Sequence, residues 1–461
     1  MKDLEEKILS DPINKNIFTL IRDSSSSIYL VGGYIRDLIV GIENNDRDYV
    51  LEGYGAWDFA KRVAGFLKGT FVGLDKKRDM ARVVIDDRTL DFSGTSGKPI
   101  KEDLKRRDFT INSIAWSPSR RIIDPLNGIT DIKRGVIRAV KKENLQEDPL
   151  RLLRAYRISA ELKMDIETET LKFITESSYL LSNASGERVS SELFLLLRSP
   201  QSFIYVLGAS KTGILDAIFP ELTRTKDIPP QGIHYLNVYE HSLEVLKKIE
   251  ILFQELPGYV VNHLKEEISS TITRFSILKL GGILHDIGKP ITWEINHEGK
   301  YTFNDHERVG AELVESISER LKFSNNTTEN LKSIVKLHSK PLNLFKEFPN
   351  DKRGLYRYFR ELDNYLIDIT VHSIADIRSM RFKKEDLRIK EALLVEVLEN
   401  YKKYKIKDET TPAILKGDDI IRILKIKAGP EVGKKLKMIR EAQLLGEIRT
   451  KEEAIEYLRE L

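Results

Sequence analysis

Three groups of residues in this 461-residue chain have the types and spacing to do chemistry. The first lies in YLVGGYIRDLIVGIENNDRDYVL, residues 29–51, and pairs Gly32-Gly33 with Asp46-Arg47-Asp48. Side chains alternate along extended backbone, so Asp46 and Asp48 are expected to point the same way. Two carboxylates on one face suit divalent cations. The glycine pair sits between an apolar run, Ile28–Val31, and a helical segment, Tyr34–Val40. There it lets backbone N–H groups approach a phosphate at the positive end of a helix dipole. Ala81–Asp86 and Thr89–Phe92 read as a hairpin around Asp86-Asp87-Arg88. That hairpin brings Asp91 beside the pair, a third carboxylate for two-metal chemistry on a triphosphate.

The second group spans two segments. In Arg106-Arg107-Asp108-Phe109-Thr110-Ile111-Asn112, Arg107 offers a fork of donors to phosphate oxygens. Asp108 can orient it, and Asn112, one turn on, can reach a sugar or the backbone. In the helix Glu147-Asp148-Pro149-Leu150-Arg151-Leu152-Leu153-Arg154-Ala155-Tyr156-Arg157, Pro149 suits a first turn and Asp148 the N-cap. Leu152, Leu153 and Tyr156 form an apolar stripe, and Glu147, Asp148, Arg151 and Arg154 share a neighbouring face. Steps of three drift by about 60° each, so Arg157 should point away from Asp148. From the residues alone, an ion-paired surface helix fits equally.

The third group is histidine-rich. All eight His lie beyond position 230, and His241, His285-Asp286, His306, His338 and Asp376 follow one another on successive helical segments. Imidazole and carboxylate ligands suit Mg²⁺, Mn²⁺, Fe²⁺ or Ni²⁺, with an activated water attacking a phosphoester. His234, His263 and His297 acquire no role.

The positioning elements read as follows. Residues 1–27 form a helix ended by Ser24–Ser27, and residues 28 to about 140 alternate short strands and helices, with Ala56–Leu67 helical. Ser93–Pro99 is a short Gly/Ser loop. Asp124–Gly128 followed by Asp131–Arg138 reads as a turn and then a strand closing this region. Helices follow, including Phe194–Arg198 and Gln201–Gly208. From Leu387 the chain is helical and basic, and Gly429-Pro430 with Gly433 could let a helix approach an RNA backbone. Hydrophobic residues at 41% indicate a globular chain, and no apolar run reaches the roughly 18 residues of a membrane span. The charged start MKDLEEKILSDP lacks a signal peptide's apolar stretch. With 0 Cys there is neither a disulfide nor a Cys zinc site, which fits a reducing cytoplasm. A net charge of +4 means that a nucleic acid must be held by local basic patches.

The order GG-x-x-RD…D-x-D, then R-R-D-F-T-I-N, then E-D-x-x-R resembles the class II nucleotidyltransferases that add CCA to tRNA 3′ ends and their poly(A) polymerase relatives. The segments Asp124–Arg138, Gly186–Leu193 and Glu441–Gly446 resemble the same family. Leu284-His285-Asp286-Ile287-Gly288-Lys289 is similar to the HD phosphohydrolase superfamily. The resemblance implies an α+β fold: a small nucleotidyltransferase head with a mixed β-sheet, then all-α neck, body and HD domains. The boundaries are a head at 1–145, a neck at 146–228, an HD domain at 229–385 and an RNA-binding tail at 386–461. It implies catalytic Asp46, Asp48 and Asp91, with Mg²⁺ on Asp46 and Asp48. Gly32, Gly33, Arg36, Arg107 and Asn112 would hold the nucleotide. Asp148 and Arg151 would read the base, with Arg154 and Arg157 as nearby contacts. His241, His285, Asp286 and Asp376 would hold an HD metal (Mg²⁺, Mn²⁺ or Ni²⁺), and His306 and His338 a second metal or the phosphate. The partners implied are the tRNA acceptor stem and 3′ end, CTP and ATP, in the cytoplasm and without a membrane.

One departure stands out. The connector between Asp91 and Glu102 is shorter than the flexible loop that CCA-adding members carry. The product is therefore open between CC, A and full CCA, with poly(A) addition a further option. Two other classes stay in view: an HD phosphohydrolase and a tRNA-binding scaffold.

Overall fold

The computed structural model describes residues 2–21, 27–53, 55–95, 97–347 and 351–460. The chain divides into two compact units, residues 1–218 and 219–461.

The first unit is built on a seven-stranded mixed sheet. Its strands are β1 (Ser27–Val31), β2 (Asp46–Glu52), β3 (Thr70–Asp75), β4 (Met80–Ile85), β5 (Arg88–Gly94), β6 (Ala115–Ser117) and β7 (Arg121–Ile123). The order is β3-β4-β5-β2-β1-β6-β7; β2 and β5 run parallel and the other pairs antiparallel. Central β2 is covered on both faces. On one, Tyr49 stacks on Phe92 at 5.2 Å and Phe59 of helix Ala56–Leu67 meets Phe92 edge-on at 5.8 Å. On the other, Val50 packs with Tyr29, Val31, Ala115, Ile100 and Leu104. Each such aromatic or branched side chain stabilises the unit by about 1.5–3 kcal/mol relative to exposure.

The hairpin of Asp86-Asp87 forms as expected, with Asp86 at φ 53°. Strand β2 starts at Asp46, three residues before the predicted strand, so both aspartates belong to it. Strands β3, β6 and β7 were not anticipated. β3 is a mostly exposed edge whose alternation is weak, and β6 and β7 are three residues long. The single N-terminal helix is two, Lys2–Ser10 and Pro12–Leu20, because Asp11 stops the first and caps the second through Asn14 N–H at 2.9 Å. Ser24–Ser26 of the predicted serine break lie outside the described residues, and Ser27 opens β1.

The predicted turn before Val136 contains a helix, Gly128–Arg134. A Cβ on Gly128 would stand 2.1 Å from the Thr110 carbonyl oxygen, so this close approach requires glycine. The strand that follows, Val136–Ile137, pairs with Asp165–Ile166 and does not join the main sheet. Helices Leu150–Leu162 and Gly186–Arg198 complete the parts of this unit that matter for its site.

The second unit is helical apart from two small hairpins, Glu267–Ser269 with Ile272–Thr273 and Trp293–Ile295 with Tyr301–Phe303. The purely helical expectation missed both. Helices Val238–Phe253, Arg274–Leu284, His306–Leu321, Asn325–Leu337 and Leu366–Arg378 surround one buried core. Gly281 and Gly282 let neighbours close in, since a Cβ on either would stand 2.7 Å from Ile334 or Ile249. The last three helices, Gly417–Leu424, Pro430–Leu445 and Lys451–Glu460, have a core of their own around Ile420, Ile439 and Leu458.

Candidate active sites

In the first unit the strand register does the positioning. Asp48 is registered against Asp91 on β5, and Asp91 against Arg82 on β4, so the three side chains form a row on one face. Arg82 donates to both Asp91 oxygens, at 2.7 and 2.8 Å. Burial raises the Asp48 carboxyl above its usual range; Asp91 and Asp46 add to this against the opposing pull of Arg107. Crowded carboxylates of this kind are relieved by a bound cation, and their hard oxygen donors fit Mg²⁺. Gly32 adopts φ 75°, and a Cβ there would stand 2.8 Å from Arg107 Nη1 and 3.3 Å from Asp48 Oδ2. The glycine turn, the arginine and the carboxylate therefore converge.

Behind this row runs a chain of charged groups. Arg36 Nη1 donates to Asn112 Oδ1 at 2.8 Å, and Asn112 Nδ2 donates to Asp108 Oδ1 at 3.0 Å. Asp108 also accepts from Phe109 N–H at 2.8 Å and from Arg154 Nε at 3.1 Å. Arg154 continues to Glu192, which takes Arg157 Nε at 2.9 Å on its other oxygen. Burial works against the Asp108 charge, but Arg154, Asn112 and the Phe109 N–H outweigh it and hold its carboxyl below the usual range. Arg36 is buried and also bound to Asp37, so Arg36 and Asn112, both expected on the nucleotide, are hydrogen-bonded to each other and to neighbouring carboxylates.

Beside the row lies a cavity of about 440 Å³, within the size of sites that hold drug-sized ligands. Arg107, Asp148, Arg151 and Arg154 line it, together with Arg106 and Arg188. Asp148 is not the N-cap: Pro149 takes that position, and the Asp148 carboxylate accepts from Arg188 Nη2 at 2.8 Å. Arg157 turns to Glu161 and Glu192, away from Asp148 as its helical position predicts. Arg188 and Arg106 were missed as site residues. Both stand in strings singled out by sequence, but only the folded chain turns them into the cavity.

In the second unit the six predicted ligands gather into two groups, His241–His285–Asp376 and Asp286–His306–His338. The Asp286 carboxylate lies between them: Oδ2 is 3.1 Å from His285 Nε2 and Oδ1 is 3.5 Å from His306 Nε2. His241 Nε2 is 2.9 Å from Asp376 Oδ1. Each imidazole is held from behind. The Nδ1–H groups of His285, His306 and His338 donate to the carbonyls of Gly282, Phe303 and Val335 at 3.0, 2.8 and 2.9 Å. His241 Nδ1 meets Ser379 Oγ at 3.2 Å, whose own proton goes to the Asp376 carbonyl. Each Nδ1 is thus engaged on the outside, which leaves all four Nε2 atoms turned inward as the positions a metal would take. This donor set fits one or two first-row or Mg²⁺ ions.

Burial works against charge throughout this cluster. It pushes His338 down to about 4 and His372 well below its ordinary value. His285 stays above its ordinary value because Asp286 and Asp376 outweigh burial. Asp286 and Asp376 lie well below theirs, as neighbouring imidazoles overcome the same penalty. Lys289, which ends the L-H-D-I-G-K string but had no role by sequence, places Nζ 2.5 Å from Asp286 Oδ2. His372, likewise unassigned, is buried with its ring 4.9 Å from that of His285.

Comparison with known proteins adds three findings. Residues 28–138 match the "Poly A polymerase head domain", 163–225 the "Probable RNA and SrmB- binding site of polymerase A", and 238–380 the "HD domain". The chain is 31% identical to the A-adding tRNA nucleotidyltransferase of Deinococcus radiodurans, over 92% of this chain and 93% of that one. It is also 31% identical to the CC-adding tRNA nucleotidyltransferase of Thermus thermophilus, over 93% and 92%. Its fold matches the Thermotoga maritima CCA-adding enzyme complexed with tRNA at a TM-score of 0.65 and 23% identity, covering 99% of this chain and 98% of that one.

Proposed function

This chain belongs to the tRNA nucleotidyltransferase family, and from that premise we propose that it adds C, A or both to tRNA 3′ ends, taking CTP and ATP without a template. The supporting observation is the carboxylate row of Asp48 and Asp91 set against Gly32 and Arg107, with a nucleotide-sized cavity alongside. In this reading the RNA 3′-oxygen attacks the α-phosphate and pyrophosphate leaves. Mg²⁺ held by Asp46 and Asp48 would acidify that hydroxyl and neutralise the triphosphate. Gly32, Gly33 and Arg107 receive the phosphates. Asp148 and Arg151 present an acceptor and donors to the base edge, with Arg188 orienting Asp148. Arg36, Asn112 and Asp108 hold Arg107's segment and Arg154 in place. Head, neck, HD domain and tail follow the boundaries 1–145, 146–228, 229–385 and 386–461, and the cytoplasm is the expected compartment.

Within that chemistry we favour CC addition. The connector from Gly94 to Ile100 is short, and its described residues are held at two points, Thr95 N–H on the Leu51 carbonyl at 3.0 Å and Lys98 N–H on the Thr95 carbonyl at 3.1 Å. A tethered loop of this length has little reach with which to re-form the base site for A. Primer extension on tRNA ending at the discriminator base, with CTP, ATP or both, tests this. The expected product stops after two C residues even with ATP present. A finished CCA end or a single added A overturns the CC reading, a long A tail moves the activity to poly(A) addition, and no incorporation overturns the transferase reading.

The histidine–aspartate cluster supports a second activity, metal-dependent hydrolysis of phosphoesters. Divalent metal on His241, His285, Asp286 and Asp376, and on His306 and His338, would supply an activated water. Lys289 stands ready to meet a phosphate oxygen.

A further inference from the structure

We propose that the open outer half of the carboxylate-bearing sheet face seats the 3′-terminal nucleoside of the RNA; this rests on the transferase reading above. The row Asp48–Asp91–Arg82 continues in register to Val72 on edge strand β3. Met80, two residues before Arg82, stands on the same face, and Leu74, two beyond Val72, lies beside it at the bulge where the β3–β4 register shifts between Gly73 and Asp75. Val72, Leu74 and Met80 are 38%, 46% and 37% exposed, so three large apolar side chains lie uncovered beside the carboxylates. The opposite face of β3 is partly covered. Trp57 packs there edge-on to Phe71 at 5.3 Å, and so close to Gly73 that a Cβ would stand 2.3 Å from its ring.

Between Leu74 and Met80 the chain turns through Lys76, Lys77 and Arg78, all exposed. This turn is built to hold its shape. Asp75 Oδ1 accepts from the Lys77 and Arg78 N–H groups at 2.9 and 3.1 Å. Asp79 caps helix Ala56–Leu67 by accepting from Ala56 and Trp57 N–H, both at 2.8 Å. It also sits so near Gly94 that a Cβ there would be 2.3 Å from its carboxylate. Arg78 and Met80 line the 440 Å³ cavity as well, so the patch is continuous with the nucleotide site.

Three cations bordering an apolar platform fit a polyanion that carries flat apolar faces, which is single-stranded nucleic acid. Geometry selects its 3′ end. The attacking hydroxyl must reach Asp46, Asp48 and Asp91, and the glycine side of that row is taken by the triphosphate. The approach left along the face is over β5, β4 and β3. A terminal base resting on Val72, Leu74 and Met80, with its backbone along Lys76–Arg78, delivers the ribose to the carboxylates.

The test is steady-state CTP incorporation into tRNA ending at the discriminator base, with full-length Leu74→Glu, Leu74→Met and Lys76→Glu/Lys77→Glu proteins. The KM for tRNA should rise about tenfold or more in both Glu variants, as losing one base platform or two phosphate contacts implies. The KM for CTP and the circular dichroism should stay at wild-type values, and Leu74→Met should keep the wild-type KM for tRNA. The double variant alters only exposed side chains, so it decides the outcome should Leu74→Glu fail to fold. A KM for tRNA within about twofold of wild type in the folded Glu variants overturns the proposal, as does an equal rise in the KM for CTP. A wild-type protein that incorporates neither CTP into this tRNA nor ATP into tRNA ending in CC would instead overturn the transferase reading on which the proposal stands.

Discussion

Replacing Asp108 by Asn probes the charged chain that ties the glycine turn to the base-reading helix. The side chain keeps its shape but exchanges one acceptor oxygen for a donor. Asp108 accepts from three donors: Phe109 N–H at 2.8 Å, Asn112 Nδ2 at 3.0 Å and Arg154 Nε at 3.1 Å. The first two share Oδ1, so the Asn oxygen stays with them and its NH₂ turns to Arg154, donor against donor. Losing a charge-assisted hydrogen bond costs about 1.5–3 kcal/mol. Arg154 is one-third exposed, so water screens part of this, and a loss of about 2 kcal/mol is expected. For a unit of this size that lowers the melting temperature by roughly 4–8 °C.

Calorimetry of Asp108→Asn, Arg154→Met and the double variant measures it. If the donor conflict is the cause, removing Arg154 relieves it, and the two losses should fall short of additivity by about 1 kcal/mol or more. The pH dependence follows from the sign. A carboxyl held below its usual range stabilises above its unfolded pKa of about 3.9 and loses that contribution as pH falls through the lower folded value. The gap between wild type and Asp108→Asn should therefore be full at pH 6 and shrink below about pH 4. A melting shift under about 2 °C, or strict additivity with Arg154→Met, refutes this account of the network.

Three further outcomes are expected. Gly32→Ala, at φ 75° with Arg107 Nη1 2.8 Å from the new Cβ, should cost about 1–3 kcal/mol of stability and raise the KM for CTP, whereas Gly41→Ala, at φ 85° with nothing within 4 Å of the new Cβ, shares the backbone cost and should leave the KM unchanged. His285→Ala should strip bound transition metal from the purified protein, read by elemental analysis, and end phosphoester hydrolysis while nucleotide incorporation stays near wild type. Mn²⁺ affinity measured by calorimetry should fall by up to about tenfold per pH unit below the raised His285 value, with proton release on binding, because the metal must displace that proton.

The sequence alone determined on which local elements the candidate groups sit. Asp46 and Asp48 on one strand face and Gly32-Gly33 at a strand-to-helix turn follow from short-range periodicity, which the folded chain keeps. The expectation that Asp91 would lie next to the pair also followed from local pattern, through a hairpin that formed where its turn residues stand. The ordered His and Asp string likewise predicted a cluster that long-range folding assembled.

Tertiary structure decided what each group faces. Charged and amide groups on a motif look free in one dimension, and only the fold supplies the partners of Arg36 and Asn112, which are Asp37 and Asp108. Asp148 read as a helix cap because its sequence position allows it, but Arg188, 40 residues on, draws its carboxylate into the cavity. The row from Asp48 through Arg82 to Val72 depends on strand register across four strands, and no periodicity within one strand encodes the partner of another. The inward-facing Nε2 atoms of the four histidines were equally invisible, since the carbonyls and the hydroxyl that fix each Nδ1 take their places only once the helices fold and pack.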